Sequence, residues 1–336
     1  MTITVEAGIT IQELVSTLAE NSQRLPIDVP HAEQATLGGV IATNYSGARR
    51  YGFGTMRDYV IGISAVDGLG NLFKSGGRVV KNVAGYDLCK TLVGSLGTIG
   101  IITQVTLKVR PQPEASALIV AQPKTLAAAE ELLAGLVVSR TAPVAIELLY
   151  GQQFGGAWRL IVGFEGSHAE VAWQVETLQA EWQAAPLVEP PAVVADAAQQ
   201  AAAWQELTDF SLPADDVALL VKFNVPSSKV CDLATRLLGF DASASIQAHA
   251  GNGILLAQFR AVPATGACKF LLQQLQPAAA ACGGHCTVWM AAQPEEFTRP
   301  AWWGVPRGEM VYMQRVKEQF DPQHLLNPGR FIYENE

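Results

Sequence analysis

Glycine spacing is the first chemical signal in this sequence. The segment Gly94-Ser-Leu-Gly97-Thr-Ile-Gly100 could bring backbone close to a phosphate. Its spacing is Gly-x-x-Gly-x-x-Gly, however, and a helical pattern precedes it while a strand pattern follows. A dinucleotide fingerprint needs Gly-x-Gly-x-x-Gly between a strand and the helix whose N-terminus receives the pyrophosphate. No Gly-x-x-x-x-Gly-Lys segment occurs either, so neither a Rossmann nor a P-loop nucleotide site is encoded.

A second cluster runs from Pro30 to Gly47 and contains Ala35-Thr-Leu-Gly-Gly39 and Thr43-Asn-Tyr-Ser46. Thr36 can cap a short helix beginning Leu37-Gly38-Gly39. Paired glycines there would clear side chains from the helix mouth, leaving N–H groups for a phosphate or a ring edge. Asn44, Ser46 and Gly47 would close a polar turn at the other end. Taken alone, the cluster also reads as ordinary loop chemistry.

Cys282-Gly-Gly-His285-Cys286 groups two thiols and an imidazole, but a structural zinc site needs a fourth ligand and none stands at a recognisable spacing. The segment reads as a loop with incidental cysteines. With Cys89, Cys231 and Cys268 the five cysteines form no disulfide framework, which suits a reducing, cytoplasmic setting. The N-terminus lacks the basic start and apolar core of a signal peptide, and no apolar run is long enough to cross a bilayer.

The elements that must hold these segments follow from composition and periodicity. The chain has 336 residues, enough for about two domains, with 49% hydrophobic and only 16% charged residues. The usual charged share is ~25%, so the low value excludes a disordered chain and points weakly to surface hidden against a partner. Net charge is −8 and no Lys/Arg run occurs, which argues against nucleic acid. Half of the 30 glycines lie in residues 1–112, and Pro111 and Pro113 mark a change to Ala-, Gln- and Leu-rich sequence. Domain boundaries are therefore expected at 1–112, 113–305 and a C-terminal segment 306–336. In the first part, strands are expected over 2–7, 59–66 and 100–109, with Thr10-Ile-Gln-Glu13 opening a helix, a hairpin at Leu69-Gly-Asn71 and a helix over 86–93. The second part alternates strands near 116–121, 144–149, 158–164, 217–223, 243–249 and 253–259 with helices near 125–138, 167–185, 226–238 and 264–276. That pattern predicts an α+β domain with an antiparallel sheet and helices on one face. The run 190–203 reads as a linker or a loosely packed helix.

Several segments together resemble the FAD-binding domain of the vanillyl-alcohol oxidase and p-cresol methylhydroxylase superfamily (the PCMH type), in its glycolate oxidase and D-lactate dehydrogenase branch. They are Val5-Glu-Ala-Gly8, Ala35-Thr-Leu-Gly-Gly39 with Ala42-Thr-Asn44, and Tyr51-Gly-Phe-Gly-Thr-Met-Arg-Asp58. Gly76 to Leu88, Val93 to Thr103 and the tail Phe320-Asp-Pro-Gln-His-Leu-Leu-Asn-Pro-Gly329 complete the set. The resemblance implies non-covalent FAD. It places the pyrophosphate and flavin against Pro30, Ala35, Thr36, Gly38, Gly39, Thr43, Asn44, Tyr45 and Ser46, and the adenosine or ribityl side against Gly97, Gly100, Ile101 and Ile102. It implies a substrate cap in the second domain and a tail that packs on the FAD domain. Similarity to FAD-binding subunits of glycolate oxidase implies oxidation of a small 2-hydroxy acid, glycolate, to glyoxylate. A catalytic flavoprotein subunit and an iron–sulfur subunit would be partners, with any membrane association peripheral and through them. Family members carry a glycine-rich segment before the Val-Glu-Ala-Gly strand; this sequence starts at that strand, so an N-terminally shortened FAD domain is expected.

The cap departs from the metal-dependent members, which carry His-x-Gly-Asp-Gly-Asn-x-His and a later Glu-His. Here the stretch is His249-Ala-Gly-Asn-Gly-Ile-Leu-Leu256, with Asn252 and Leu256 in place of Asp and the second His. Gly284-His285 replaces the later pair, so no metal site is expected. For oxidation of a 2-hydroxy acid, Arg159, Lys222 and Arg260 could bind the carboxylate and His249 or His285 could take the hydroxyl proton. The same residues also read as solvated arginines and satisfied loop histidines, and the missing metal set favours that for this chain alone. Phe297 and Trp302-Trp303 read as packing anchors. Two alternatives stay open: a stand-alone FAD oxidoreductase, or a scaffold subunit that has lost FAD.

Overall fold

The computed structural model describes residues 1–77, 88–183, 185–211, 216–304 and 308–331. The expected stretch Gly76 to Leu88 therefore lies largely outside the described residues. The chain divides into two compact units, residues 1–112 with 306–336, and residues 113–305.

The first unit is built on a four-stranded antiparallel sheet in the order Thr2–Glu6, Ile101–Lys108, Val60–Val66, Leu72–Gly76. Threonines and apolar residues alternate along the first two strands, so one face turns to the core. The Ile11–Ala19 helix opens on the Thr10–Glu13 capping box and buries Ile11, Leu14 and Leu18, one stripe at helical spacing. The hairpin after Val66 is held by Asp67, whose Oδ1 accepts the N–H groups of Leu69 and Asn71. Leu37, Val40, Ile41, Met56, Tyr59, Val105 and Leu107 fill the core beneath. The helix expected over 86–93 is described as Leu88–Leu92.

The second unit carries an eight-stranded antiparallel sheet. Its order is Ala192–Val194, Ala115–Ala121, Arg159–Gly166, Ala145–Tyr150, Ser245–His249, Ile254–Phe259, Leu219–Asn224, His285–Ala291. One face is uniformly apolar (Leu160, Val162, Ile146, Leu148, Ile246, Leu255, Phe259, Val221 and Phe223) and packs in one cluster with residues of the 126–138, 168–181, 230–240 and 267–281 helical segments.

Three expectations for this unit change. The run 190–203 is helical only in its second half: the edge strand Ala192–Val194 comes first, then a helix over Ala197–Asp209, capped by Asp196. That helix lies on the opposite sheet face from the others, because the Leu207 carbonyl at its end and the Phe210 carbonyl just after it accept Gln247 and Gln258. Helices on one face only is thus corrected. Finally, His285-Cys286 begins a strand rather than sitting in a loop, and Cys282 and Cys286 are both buried.

Candidate functional site

In the first unit the two glycine segments meet. The Leu37–Thr43 helix is capped by Thr36, whose hydroxyl accepts the Gly39 N–H, and ends on Asn44 in the left-handed region at φ 50°. Its last turn receives the other segment: the Gly94 N–H donates to Ile41 O and the Leu96 N–H to Ala42 O, at 3.0 and 2.8 Å. The loop turns back through Gly94, Leu96 and Gly97, all at positive φ. Leucine pays a steric cost there that glycine does not.

The helix mouth differs from the expectation. The Leu37 N–H is bonded to Ile9 O, the Gly38 N–H to Ala7 O and the Gly39 N–H to Thr36 Oγ1, so the first turn has its donors in use. Gly38 is glycine for packing, since a Cβ there would press to 3.2 Å on Ala7. The Pro30–Thr36 stretch is stitched to the neighbouring helix by Gln12 N–H to Ala32 O and Ile11 N–H to Ala35 O. Ser46 is buried and accepts the Met56 N–H, and Thr43 donates back to Gly39 O and Val40 O. Gly100 packs inside against Leu92, Ile102 is half-buried and Ile101 is 58% exposed.

Whether these residues suit FAD is answered at the junction of the two segments. Asn44 Oδ1 is buried with no hydrogen-bond partner among the described residues, beside Gly94, where a Cβ would reach the Asn44 side chain. A buried acceptor left unpaired costs stability unless something donates to it, and an N–H on a bound cofactor would. A cavity of about 450 Å³ also opens along the 93–99 loop, lined among others by Arg57, Ser95, Leu96, Thr98 and Tyr312. The residues fit, with the Asn44–Gly94 junction and not the helix mouth as the polar contact.

In the second unit the polar face of the sheet carries the candidate chemistry. Strand register puts Glu147, His249, Ile254, Asn224 and His285 in one row across five strands. The adjoining row holds Arg159, Leu149, Gln247, Leu256, Lys222 and Thr287. His249 is not a loop residue: it ends its strand, is buried, and its Nδ1 lies 2.7 Å from Glu147 Oε1. Gln247 donates to the second oxygen, Oε2, at 2.9 Å and to Leu207 O at 3.0 Å. The fully buried carboxylate thus accepts from both sides. It fixes the orientation of the imidazole through Nδ1. Nε2 has no partner among the described residues.

His285 shares this face and this end of the sheet but stands three strand spacings from His249, roughly 14 Å, too far to act with it directly. Arg260 is corrected outright. It follows the far end of the Ile254–Phe259 strand, about 20 Å along from His249, and pairs with Asp216 at the surface. Arg159 and Lys222 lie in the right row; the Lys222 ammonium sits 5.0 Å from the Trp289 ring centre. Leu256 is buried, and no cluster of three His, Cys, Asp or Glu side chains occurs among the described residues. Phe297 and Trp302 pack ring to ring at 5.3 Å against the core.

Sequence reasoning missed Glu147. Its signal was a lone carboxylate inside Ala145–Tyr150, a strand whose other side chains are all apolar or aromatic. It also missed Lys317 and Asp321, a basic and an acidic residue four apart in the tail helix, both buried.

The class of protein that this two-unit fold serves comes from its relatives. Residues 1–76 match the FAD binding domain model, and residues 112–287 and 305–331 match that of the FAD linked oxidases, C-terminal domain. The chain belongs to the FAD-linked oxidases, and FAD is its cofactor. It is 29% identical over 344 residues to glycolate oxidase subunit GlcE of Escherichia coli, covering 99% of this chain and 83% of that one. It is 26% identical over 369 residues to glycolate oxidase subunit GlcD of Bacillus subtilis, covering 99% and 75%. A solved structure of alkyldihydroxyacetonephosphate synthase shares the fold, with a TM-score of 0.65 at 19% identity, over 98% of this chain and 65% of that one. No helix among the described residues is long and apolar enough to cross a membrane.

Proposed function

We propose that this chain is the FAD-binding subunit of a glycolate-oxidase-type complex, oxidising glycolate to glyoxylate and passing electrons to an iron–sulfur partner. The observation that carries the reading is the buried Glu147–His249 pair on the polar face of the cap sheet. Dehydrogenating a 2-hydroxy acid requires a base for the hydroxyl proton and a cation for the carboxylate. His249 Nε2 is the base, kept in the right tautomer by Glu147, and Arg159 receives the carboxylate from the neighbouring row. FAD, when bound, would supply the hydride acceptor that the oxidation needs. Asn44 is its polar contact at the Gly94 junction, with Thr43 and Tyr45 beside it and Gly97, Ile101 and Ile102 on its other side, while Thr36, Gly38 and Gly39 shape the helix rather than meet the cofactor. The likeness to two named glycolate oxidase subunits over nearly the whole chain supports the substrate and the complex. Five scattered cysteines, four of them buried, supply no cluster ligands, so an iron–sulfur centre belongs to the partner.

The test is glycolate-dependent dye reduction by the complex purified with and without this chain. The reading expects loss of activity without it; full activity in its absence would contradict the reading.

A further inference from the structure

The tail helix Met310–Phe320 and the turn after it hold the most heavily buried charges of the first unit. Lys317 is 2% exposed and Asp321 0%. The Lys317 ammonium donates to Asp321 Oδ2 at 2.6 Å, to Thr98 O at 2.8 Å and to Leu326 O at 3.2 Å. Asp321 in turn accepts the Leu325 and Leu326 N–H groups, at 3.0 and 2.8 Å. Six residues on, Asn327 Nδ2 donates to Leu96 O at 2.6 Å. The approach is too close for side chains: a Cβ on Gly97 would stand 2.7 Å from Asn327 Nδ2, and one on Gly68 would stand 2.3 Å from Asp321 Oδ1.

Both carbonyls gripped by the tail belong to the 94–98 loop. Leu96, at φ 55°, is held from two sides, its N–H by Ala42 O and its carbonyl by Asn327. Strained backbone of this kind persists only where the surroundings over-determine it. An apolar contact would anchor a tail as well as a buried ion pair does. What an ammonium adds is three donors, one of which reaches Thr98.

We propose that Lys317, Asp321 and Asn327 are positioning residues for the cofactor, clamping the left-handed Gly94–Thr98 loop in the shape that meets FAD. The proposal rests on the FAD-binding reading above. It predicts that these three side chains govern how long FAD stays bound without lining the cavity themselves.

The experiment compares the full chain with Asn327→Ala, Asn327→Asp, and the double variant Lys317→Met/Asp321→Leu. Asn327→Asp keeps the shape and removes the donor; the double variant replaces the pair with apolar bulk. Each is loaded with FAD and desalted, then followed for FAD release, flavin absorbance and thermal unfolding of the apoprotein. The expected result is FAD release faster by about tenfold or more, with a shifted flavin spectrum, in variants that unfold at the wild-type temperature; one lost hydrogen bond of about 1.4 kcal/mol corresponds to tenfold. Wild-type release and spectrum in folded variants would overturn the proposal while leaving the FAD reading intact. A wild-type chain that retains no FAD would overturn both. Should an Asn327 variant fail to fold, the double variant decides by the same criteria, and the reverse.

Discussion

His249 Nδ1 lies 2.7 Å from Glu147 Oε1, and the pair is closed to water, with the histidine side chain 8% exposed and the carboxylate not at all. A carboxylate is put in a sheet interior at a cost of several kcal/mol unless it is paired. Here both its oxygens have partners, and the result is one imidazole held in a fixed orientation.

Glu147→Gln keeps the shape but leaves one accepting oxygen where Nδ1 and Gln247 now have one each, Oε1 and Oε2, and puts an NH2 donor in place of the other. In the assembled complex it should lower kcat for glycolate on the order of 10², with KM little changed, because orientation of a general base is lost and binding is not. His249→Gln should lower kcat at least as far. Steady-state dye reduction measures both; an unchanged kcat in Glu147→Gln would remove this pair from the mechanism.

Thiol chemistry gives a second expectation. Burial pushes the Cys286 thiol up to about 12, and burial with the nearby Glu130 charge pushes Cys231 up to about 12 as well. Cys89 and Cys282 are buried too, and burial also raises Cys282. Only Cys268 is partly exposed. The thiolate is the reactive species, so a colorimetric thiol titration at pH 8 should show one fast group in the folded chain and all five after unfolding. Cys268→Ser should abolish the fast phase. Two or more fast thiols would contradict the packing described for the second unit.

Acid stability tests the tail. Burial alone would raise the Asp321 carboxyl, but the Lys317 bond and the Leu326 and Leu325 N–H groups outweigh it and hold the group below the usual carboxylate range. A carboxyl lowered on folding contributes stability that is present above its unfolded value, about 3.9, and lost as pH falls through the folded value. Urea unfolding below about pH 4 should therefore show a steep loss that the Lys317→Met/Asp321→Leu double variant lacks. Asp321→Asn alone should cost about 3–5 kcal/mol at pH 7, since it strands a buried ammonium. A single substitution without cost would mean that water reaches the pair.

Much of this architecture was legible in the sequence where the signal is local. Thr10 with Glu13, Thr36 before Gly38-Gly39, and the Leu69-Gly-Asn71 turn act within a few residues, and each appears as a cap or turn where its chemistry demands. The long-range features were hidden. Glu147 and His249 are 102 residues apart, and only strand register joins them. The Ala197–Asp209 helix could not be assigned a face, because its covering role depends on Gln247 and Gln258 meeting carbonyls at and just beyond its end. The His285–Ala291 strand was masked by cysteines that suggested a loop. The Gly38-Gly39 pair was noticed as special, yet the reason for Gly38, close passage of Ala7, lies in a strand exit 31 residues earlier.

The central claim is that this chain binds FAD through the Asn44–Gly94 junction. Its most direct test is a visible absorption spectrum of the purified chain after loading with FAD and desalting, alongside Asn44→Ala. Retention of about one flavin per chain, reduced in the variant, is the expected result. A wild-type spectrum without flavin would contradict the account.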